Sequence, residues 1–311
     1  MAIIIAFLVN ASIFSIGGIG EDLGVFHHPF MARGNLARLS FKIDPEYMLL
    51  QESGDLRGVF WTNPVKLSLG VPLGYGFGFM VGNRERFNQC FDVYLEDSSL
   101  QIHALGEGGV EEVYAGLSKR LGAFEIATTG SFLFGNAWEI WTHSIASYSL
   151  VDTFSYRSRG RIFAFGFRHD MFSIAYESFG RVRMIHMPAE TTMIDLPERL
   201  SVGVFPRVAE YSLGVVYEHS FWSDTTFDSP NRFKVSISRR NLGLTYYYNP
   251  WYFNDVSEHG LAFEFGVPLR NIGSVSILMD LSLRSRDGLR ELMIKPKLNF
   301  VLNELFALRR K

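Results

Sequence analysis

Over most of this chain, from Val65 to the end, apolar residues recur at every second position. That period belongs to strands, whose successive side chains point to opposite faces. In "VKLSLGVPL", Val65, Leu67, Leu69, Val71 and Leu73 share one face, against Lys66, Ser68, Gly70 and Pro72. "YGFGFMV", "RIFAFGFRH" and "MFSIAYES" repeat the pattern with Phe77, Phe163, Phe165, Ile174 and Tyr176 on the apolar side. Towards the end of the chain, "GLAFEFGVPL" sets Leu261, Phe263, Phe265, Val267 and Leu269 against Ala262, Glu264, Gly266 and Pro268. "SVSILMDLSL" and "ELMIKPKLNF" do the same around Asp280, Lys295 and Lys297.

Two features separate this pattern from a soluble sandwich. The second face mixes Gly, Ala and Ser with charges placed in mid-strand. The runs are also long, roughly 9 to 11 residues, which suits a tilted strand crossing a bilayer. Strands in lipid must satisfy every backbone group, so they have to close on themselves. The expected fold is therefore all-β: a membrane-spanning antiparallel β-barrel of about 12 to 14 strands. Phe, Leu, Val and Ile would face lipid, and the glycines and charges would face the lumen. "RSRG", "RHD", "RRN", "RNIG" and "SRDG" read as the turns between runs.

The period fails in two stretches, "ERFNQCFDVYLEDSSLQIHALGEGG" and "FWSDTTFDSPNRF", which read as long connections or rims. "YYYNPWYFND", Tyr246 to Asp255, reads as part of an aromatic girdle at the membrane interface, the alternative being a ligand-contacting mouth. With 30 basic and 32 acidic residues, no face is obliged to be strongly positive, which argues against nucleic acid. The single cysteine, Cys90, rules out an internal disulfide and a multi-cysteine metal site.

The start of the chain differs. "AIIIAFLV" followed by "NASIFS" reads as the apolar region and cleavage zone of a secretory signal over residues 1–14, although no Lys or Arg precedes Arg33. Gly18, Gly20 and Gly24 in "SIGGIGEDLG" suggest a phosphate cradle when read alone. Pro29 and Gly34 interrupt the helix that a dinucleotide site requires, and no βαβ repeat follows. His27 and His28 are neighbours that a strand would point apart, so no metal site is expected. His219 with Ser220, and His169 with Asp170, are the suggestive pairs for hydrolysis, but no nucleophile elbow or metalloprotease helix accompanies them. The expectation is a non-enzyme without cofactors.

The mid-strand charges Lys66, Arg168, Glu177, Lys234, Glu264, Asp280, Arg284, Lys295 and Lys297 are candidates for a hydrated, salt-bridged lumen wall. They serve equally well as a solute path or as interior filling.

The order of motifs resembles the outer-membrane barrels related to the long-chain fatty-acid transporter (FadL-like or PorV-like). Gly17, Gly18 and Gly20 come first, then Glu21 and Asp22, then His28-Pro29-Phe30 where Asn-Pro-Ala is usual in that family. "GVEEVYAGLSKRLGAFEIATTGSFLFG" resembles the family's mid-barrel hairpin, and "LNFVLNELFALRRK" its basic-tailed last strand. The resemblance implies a short lumenal plug over residues 15–35, with Gly17, Gly18, Gly20, Glu21, Asp22, His28 and Pro29 in it, and a barrel over 36–311. It implies a bacterial outer-membrane location and contact with membrane lipid. It also implies passive passage of small hydrophobic, fatty-acid-like molecules, entering from outside and leaving through a wall or plug opening. A non-transporting anchor for secretion or surface machinery, with an envelope protein partner, is the alternative.

Overall fold

The computed structural model describes residues 21–22, 37–43, 45–52, 55–62, 66–96, 100–145, 148–178, 180–187, 190–223, 228–252, 255–269, 272–286 and 289–303. They form a closed antiparallel barrel of 14 wall strands, several of them broken into two segments. A two-residue piece, β1 (Glu21–Asp22), precedes the wall. The first wall strand is β2 (Arg38–Ile43) with β3 (Pro45–Glu52), and the second is β4 (Asp55–Thr62) with β5 (Lys66–Gly74). The third is β6 (Phe77–Asn88) with β7 (Phe91–Glu96). Three long strands follow: β8 (Gln101–Leu121), β9 (Phe124–Ile145) and β10 (Tyr148–Arg168). Next come β11 (Phe172–Glu177) with β12 (Gly180–Met187), then β13 (Glu190–Leu196) with β14 (Glu198–Val204).

After the short β15 (Arg207–Val208), the wall continues with β16 (Tyr211–Phe221), β17 (Asn231–Arg239) and β18 (Leu242–Pro250). It finishes with β19 (Ser257–Leu269), β20 (Gly273–Arg286) and β21 (Leu289–Asn303). Pairing of β21 with β2 and β3 closes the circle. Closure joins the first and last wall strands, so the sheet has no terminal edge facing lipid.

One end of the barrel is made of tight turns. Arg239 pairs with Leu242, leaving a two-residue connection in which Arg240 takes φ 52°, the left-handed backbone that such hairpins need. "RHD", "RRN" and "RNIG" fall at this end, as the sequence suggested. "RSRG" does not: Arg157–Gly160 lies in the middle of β10. β8, β9 and β10 are 21, 22 and 21 residues long, about twice the membrane-crossing length, so their polar upper halves rise above the lipid and mimic a turn in sequence. On the opposite side of the barrel, β17 and β18 stop after 9 residues each.

The face assignment follows the alternation. Leu261, Phe263, Phe265, Val267 and Leu269 are exposed on the outer wall, while Ala262 is buried inside. Ile277, Met279, Leu281 and Leu283 are likewise outside, with Asp280, Ser282 and Arg284 buried inside. The core therefore lies in the lumen.

Lumen glycines have a steric reason to be there. The Tyr247 ring lies directly against Gly260, and the Phe91 ring against Gly106, where any Cβ would collide. A Cβ on Gly82 would come within 2.5 Å of the Tyr114 hydroxyl, and one on Gly203 within 2.7 Å of the Phe205 ring. At these four positions an aromatic side chain lies against the wall where the wall has no side chain of its own.

Candidate functional site: the inward-turned third strand

The strongest departure from a regular wall is at the third strand. Glu85 to Phe91 are seven consecutive buried residues. A strand in a membrane wall exposes every second residue to lipid. Seven in a row without exposure means that neither face of this stretch meets lipid. With Arg86 reaching Glu177, it bends into the lumen while its backbone stays laddered to β8 at Phe87–Val110, Asn88–Gly109 and Phe91–Gly106. The sequence reading had made this stretch, with the residues up to Gly109, a connection or rim. Instead it holds the end of β6, β7 and the start of β8, and its Glu85, Arg86, Asn88 and Gln89 are buried.

The register records the turn. The β6–β8 ladder slips between Glu85 and Phe87, giving an extra residue, Arg86, on the bulged strand. Gly108, at φ 102°, faces this break, and its carbonyl accepts from Gln89 N at 3.0 Å. Asn88 ties the corner internally. Its amide donates to Glu85 Oε1 at 2.8 Å, and its Oδ1 accepts from Cys90 N at 2.8 Å.

Arg86 anchors the turn across the barrel. Its guanidinium meets the Glu177 carboxylate of β11 in a two-pronged pair, one contact being Nη1 to Oε2 at 3.1 Å. Glu112 of β8 lies 3.8 Å away and is held by Arg84 at 2.7 Å and by the Ser131 hydroxyl at 2.6 Å. Arg199 approaches Glu177 at 3.7 Å.

This network continues around the lumen as a belt. Arg232 pairs with Glu218 at 3.2 Å, and Arg284 sits between Glu258 at 3.4 Å and Glu291 at 3.8 Å. Asp280 accepts from Lys297 at 2.8 Å and from the Tyr247 hydroxyl at 2.9 Å. Burying this many charges is tolerable only because each has a partner.

Beyond the belt, away from the tight turns, the lumen is apolar. On strands carrying both kinds of residue the order is consistent: Val110 lies beyond Glu112, Val182 beyond Glu177, Leu196 beyond Arg199 and Trp222 beyond Glu218. Phe87, Leu133, Ile162, Met184, Trp251, Tyr252 and Val256 complete the cluster. Trp222 stacks on Tyr252 with centroids 4.5 Å apart, and Trp251 lies under Arg284 at 4.8 Å.

The wall is open beside the turn. β5 pairs with β6 from Ser68–Gly82 down to Gly74–Phe77. Above that, β4 pairs with β3 and β7 with β8, and among the described residues no ladder joins β4 to β6 or β7. A seam therefore runs from about Gly82 to the rim, its foot marked by Leu67 N of β5 donating to Asn83 Oδ1 of β6 at 2.9 Å, with Lys66 next to it. β1 lies at the same corner, with Glu21 opposite Asn88 and Asp22 opposite Phe87.

Of the charges expected in the lumen, Glu177, Asp280, Arg284, Lys295 and Lys297 belong to the belt or adjoin it, and Lys234 lies among Asp280, Glu264 and Lys297. Glu264 is on the inner face but exposed, Lys66 stands at the seam, and Arg168 lines a cavity at the tight-turn mouth with Arg120, Glu125 and Asp170. Glu21 and Asp22 are at the inward turn, while Gly17, Gly18, Gly20, His27, His28 and Pro29 lie outside the described residues. The sequence reading missed Arg86, Glu112, Arg199, Glu218, Arg232 and Glu258. Each of these has a polar or charged residue on at least one side (Glu85, Glu111, Glu198, His219, Asn231 and Ser257), so the alternation did not single it out.

The aromatic run splits. Tyr246 and Tyr248 face outward around His259, as a girdle would, whereas Tyr247, Trp251 and Tyr252 turn into the lumen. The hydrolytic pairs come apart as well: Ser220 is buried inside, and His219 meets Phe221 edge to face outside at 4.2 Å. His169 packs against Phe124 and Phe172 at the mouth.

These features, an apolar lumen over a charged belt and an inward-turned third strand, sit in an architecture with solved relatives. The CymD monoaromatic hydrocarbon channel superposes with a TM-score of 0.56 at 11% identity, covering 92% of this chain and 94% of its own. The fold is that of the FadL-like outer-membrane barrels. The Ralstonia pickettii toluene transporter TbuX gives a TM-score of 0.56 at 9% identity, covering 88% of this chain and 90% of its own. A Pseudomonas aeruginosa FadL homologue gives 0.50 at 10% identity, covering 86% and 89%. No family model matches this chain, and no curated protein matches it in sequence.

Proposed function

We propose that this FadL-like barrel resides in the bacterial outer membrane and passes small hydrophobic molecules passively. They would enter the apolar upper lumen from the side of the tall strands and leave sideways through the seam beside β6. The observation that carries this reading is the inward turn of Glu85–Phe91 next to a stretch of wall with no ladder. The charged belt supports it. An apolar solute moving straight down the axis would have to cross buried ion pairs such as Arg86–Glu177, at a high desolvation cost. The seam instead opens from the upper lumen sideways towards the bilayer. That CymD is a hydrocarbon channel and TbuX a toluene transporter fits the same solute class. Residues 15–35 are proposed as the plug, since Glu21 and Asp22 pair with β6 at the seam.

Uptake of toluene and of a medium-chain fatty acid into liposomes carrying the full chain tests this, beside liposomes with a chain lacking residues 15–35. Flux above that of protein-free vesicles supports passage. No flux in either preparation contradicts it and leaves the anchor role standing.

A further inference from the structure

Outside the barrel, on the tall side, the apolar belt gives way to arginine. Along β10, Phe165 and Phe163 are more than half exposed, and Arg161, Arg159 and Arg157 follow at every second position. All five therefore stand on the same outer face. β12 brings two more: Arg181 lies directly opposite Arg161, and Arg183 opposite Arg159. Val182 and Met184 are buried in the lumen, so Arg181 and Arg183 point outward, and all five arginines are exposed.

Asp195 of β13 answers Arg181, accepting from its Nε at 2.6 Å. Among the described residues, Arg157, Arg159, Arg161 and Arg183 have no carboxylate partner. Like charges directly opposite one another destabilise a sheet. Here two such pairs are stacked, immediately above lipid-facing phenylalanines. Guanidinium groups bind phosphate oxygens in a two-pronged fork, so an anion of that kind turns the repulsion into bridging.

We infer that this arginine ladder is a binding site for the phosphate groups of lipid headgroups in the leaflet on the tall side of the barrel. Its position selects lipid over a free ion. A headgroup there keeps its acyl chains against Phe163 and Phe165 while its phosphate reaches Arg161, Arg159 and Arg183. The site goes beyond solute passage and rests only on the barrel spanning a membrane. A failed uptake measurement leaves it untouched.

The test uses the full-length barrel in detergent, with diphosphorylated lipid A as the probe and retention read by native mass spectrometry. The expected result is retained lipid A in the natural chain. Removing the phosphates from the probe, or making the triple change Arg159→Gln, Arg161→Gln and Arg183→Gln, should weaken binding by about tenfold or more, the loss of a single charge-assisted contact being worth roughly that much. Heat-modifiable gel migration checks that the variant is folded. If the triple variant fails that check, Arg183→Gln and Arg183→Lys are compared instead, the lysine retaining charge without the fork. Equal retention of phosphorylated and dephosphorylated lipid overturns the inference. Equal retention by natural and variant barrels overturns it too, as does displacement by inorganic phosphate at ionic strength matched with chloride.

Discussion

Arg86 of β6 reaches across the lumen to Glu177 of β11, joining the third wall strand to the seventh with a two-pronged ion pair. The pair explains how a strand can bend into the lumen and stay there while still laddered to β8. The bulge between Glu85 and Phe87 aims the guanidinium inward, and the carboxylate opposite holds it. Both groups are buried, so neither can exchange its partner for water.

Replacing Arg86 with Met leaves Glu177 with Arg199 and Glu112 with Arg84. Breaking a buried pair from one side costs about 3–5 kcal/mol, and replacing both partners with apolar residues costs much less. The temperature of the heat-modifiable gel transition should fall clearly in Arg86→Met. It should recover in part in the double variant Arg86→Met, Glu177→Met, which also takes away the carboxylate facing Arg199. An unchanged transition in the single variant would show that the pair does not hold the turn.

The same release can be read at Cys90, the one thiol of the chain, which is buried at the corner. A membrane-impermeant maleimide should leave Cys90 unlabelled in the natural barrel and label it several-fold faster in Arg86→Met. Fast labelling of the natural protein would mean that Glu85–Phe91 opens on its own.

Gly260 tests the packing of aromatic rings on a bare wall. A methyl group there collides with the Tyr247 ring, which also donates to Asp280 at 2.9 Å. Gly260→Ala should destabilise the barrel by about 1–3 kcal/mol, the usual cost of overpacking. Gly266→Ala should be nearly silent, since its Cβ would meet ordinary contacts at 3.9 Å. Chemical denaturation of the two variants distinguishes them, and equal stability would contradict the packing described.

The lipid face is tested at Leu281, exposed on the outer wall in the middle of β20. Arginine at the mid-plane of such a barrel costs about 2–4 kcal/mol. Leu281→Arg should impair refolding into phospholipid vesicles. Tyr148→Arg, at the tip of the tall β10, should refold normally. Normal refolding of both would place Leu281 away from lipid.

Much of this was legible in the sequence, for a simple physical reason. Where one face meets lipid and the other a packed lumen, as from Leu261 to Leu283, the alternation states both faces and the inward charges follow by parity. The pattern failed where that contrast is missing. Glu85–Phe91 is buried on both sides, so its polar residues broke the period and hid a strand. Arg157–Gly160 lies above the lipid, where an outward residue has no reason to be apolar, and a strand looked like a turn. Past Pro250 the chain leaves the wall, so parity could not tell that Trp251 and Tyr252 fold inward while Tyr246 and Tyr248 face out. The partner of a lumen charge was also beyond reach, because Arg86 and Glu177 are 91 residues apart in the chain.

Lateral exit is tested most directly by closing the seam. Leu67→Cys of β5 and Asn83→Cys of β6 place thiols on either side of its foot, where Leu67 N donates to Asn83 Oδ1 at 2.9 Å, and a bifunctional thiol reagent cleavable by reduction can link them. Toluene flux into liposomes should fall to the protein-free level when the link forms and return when it is cut. Flux that persists undiminished through the linked barrel contradicts exit through the seam.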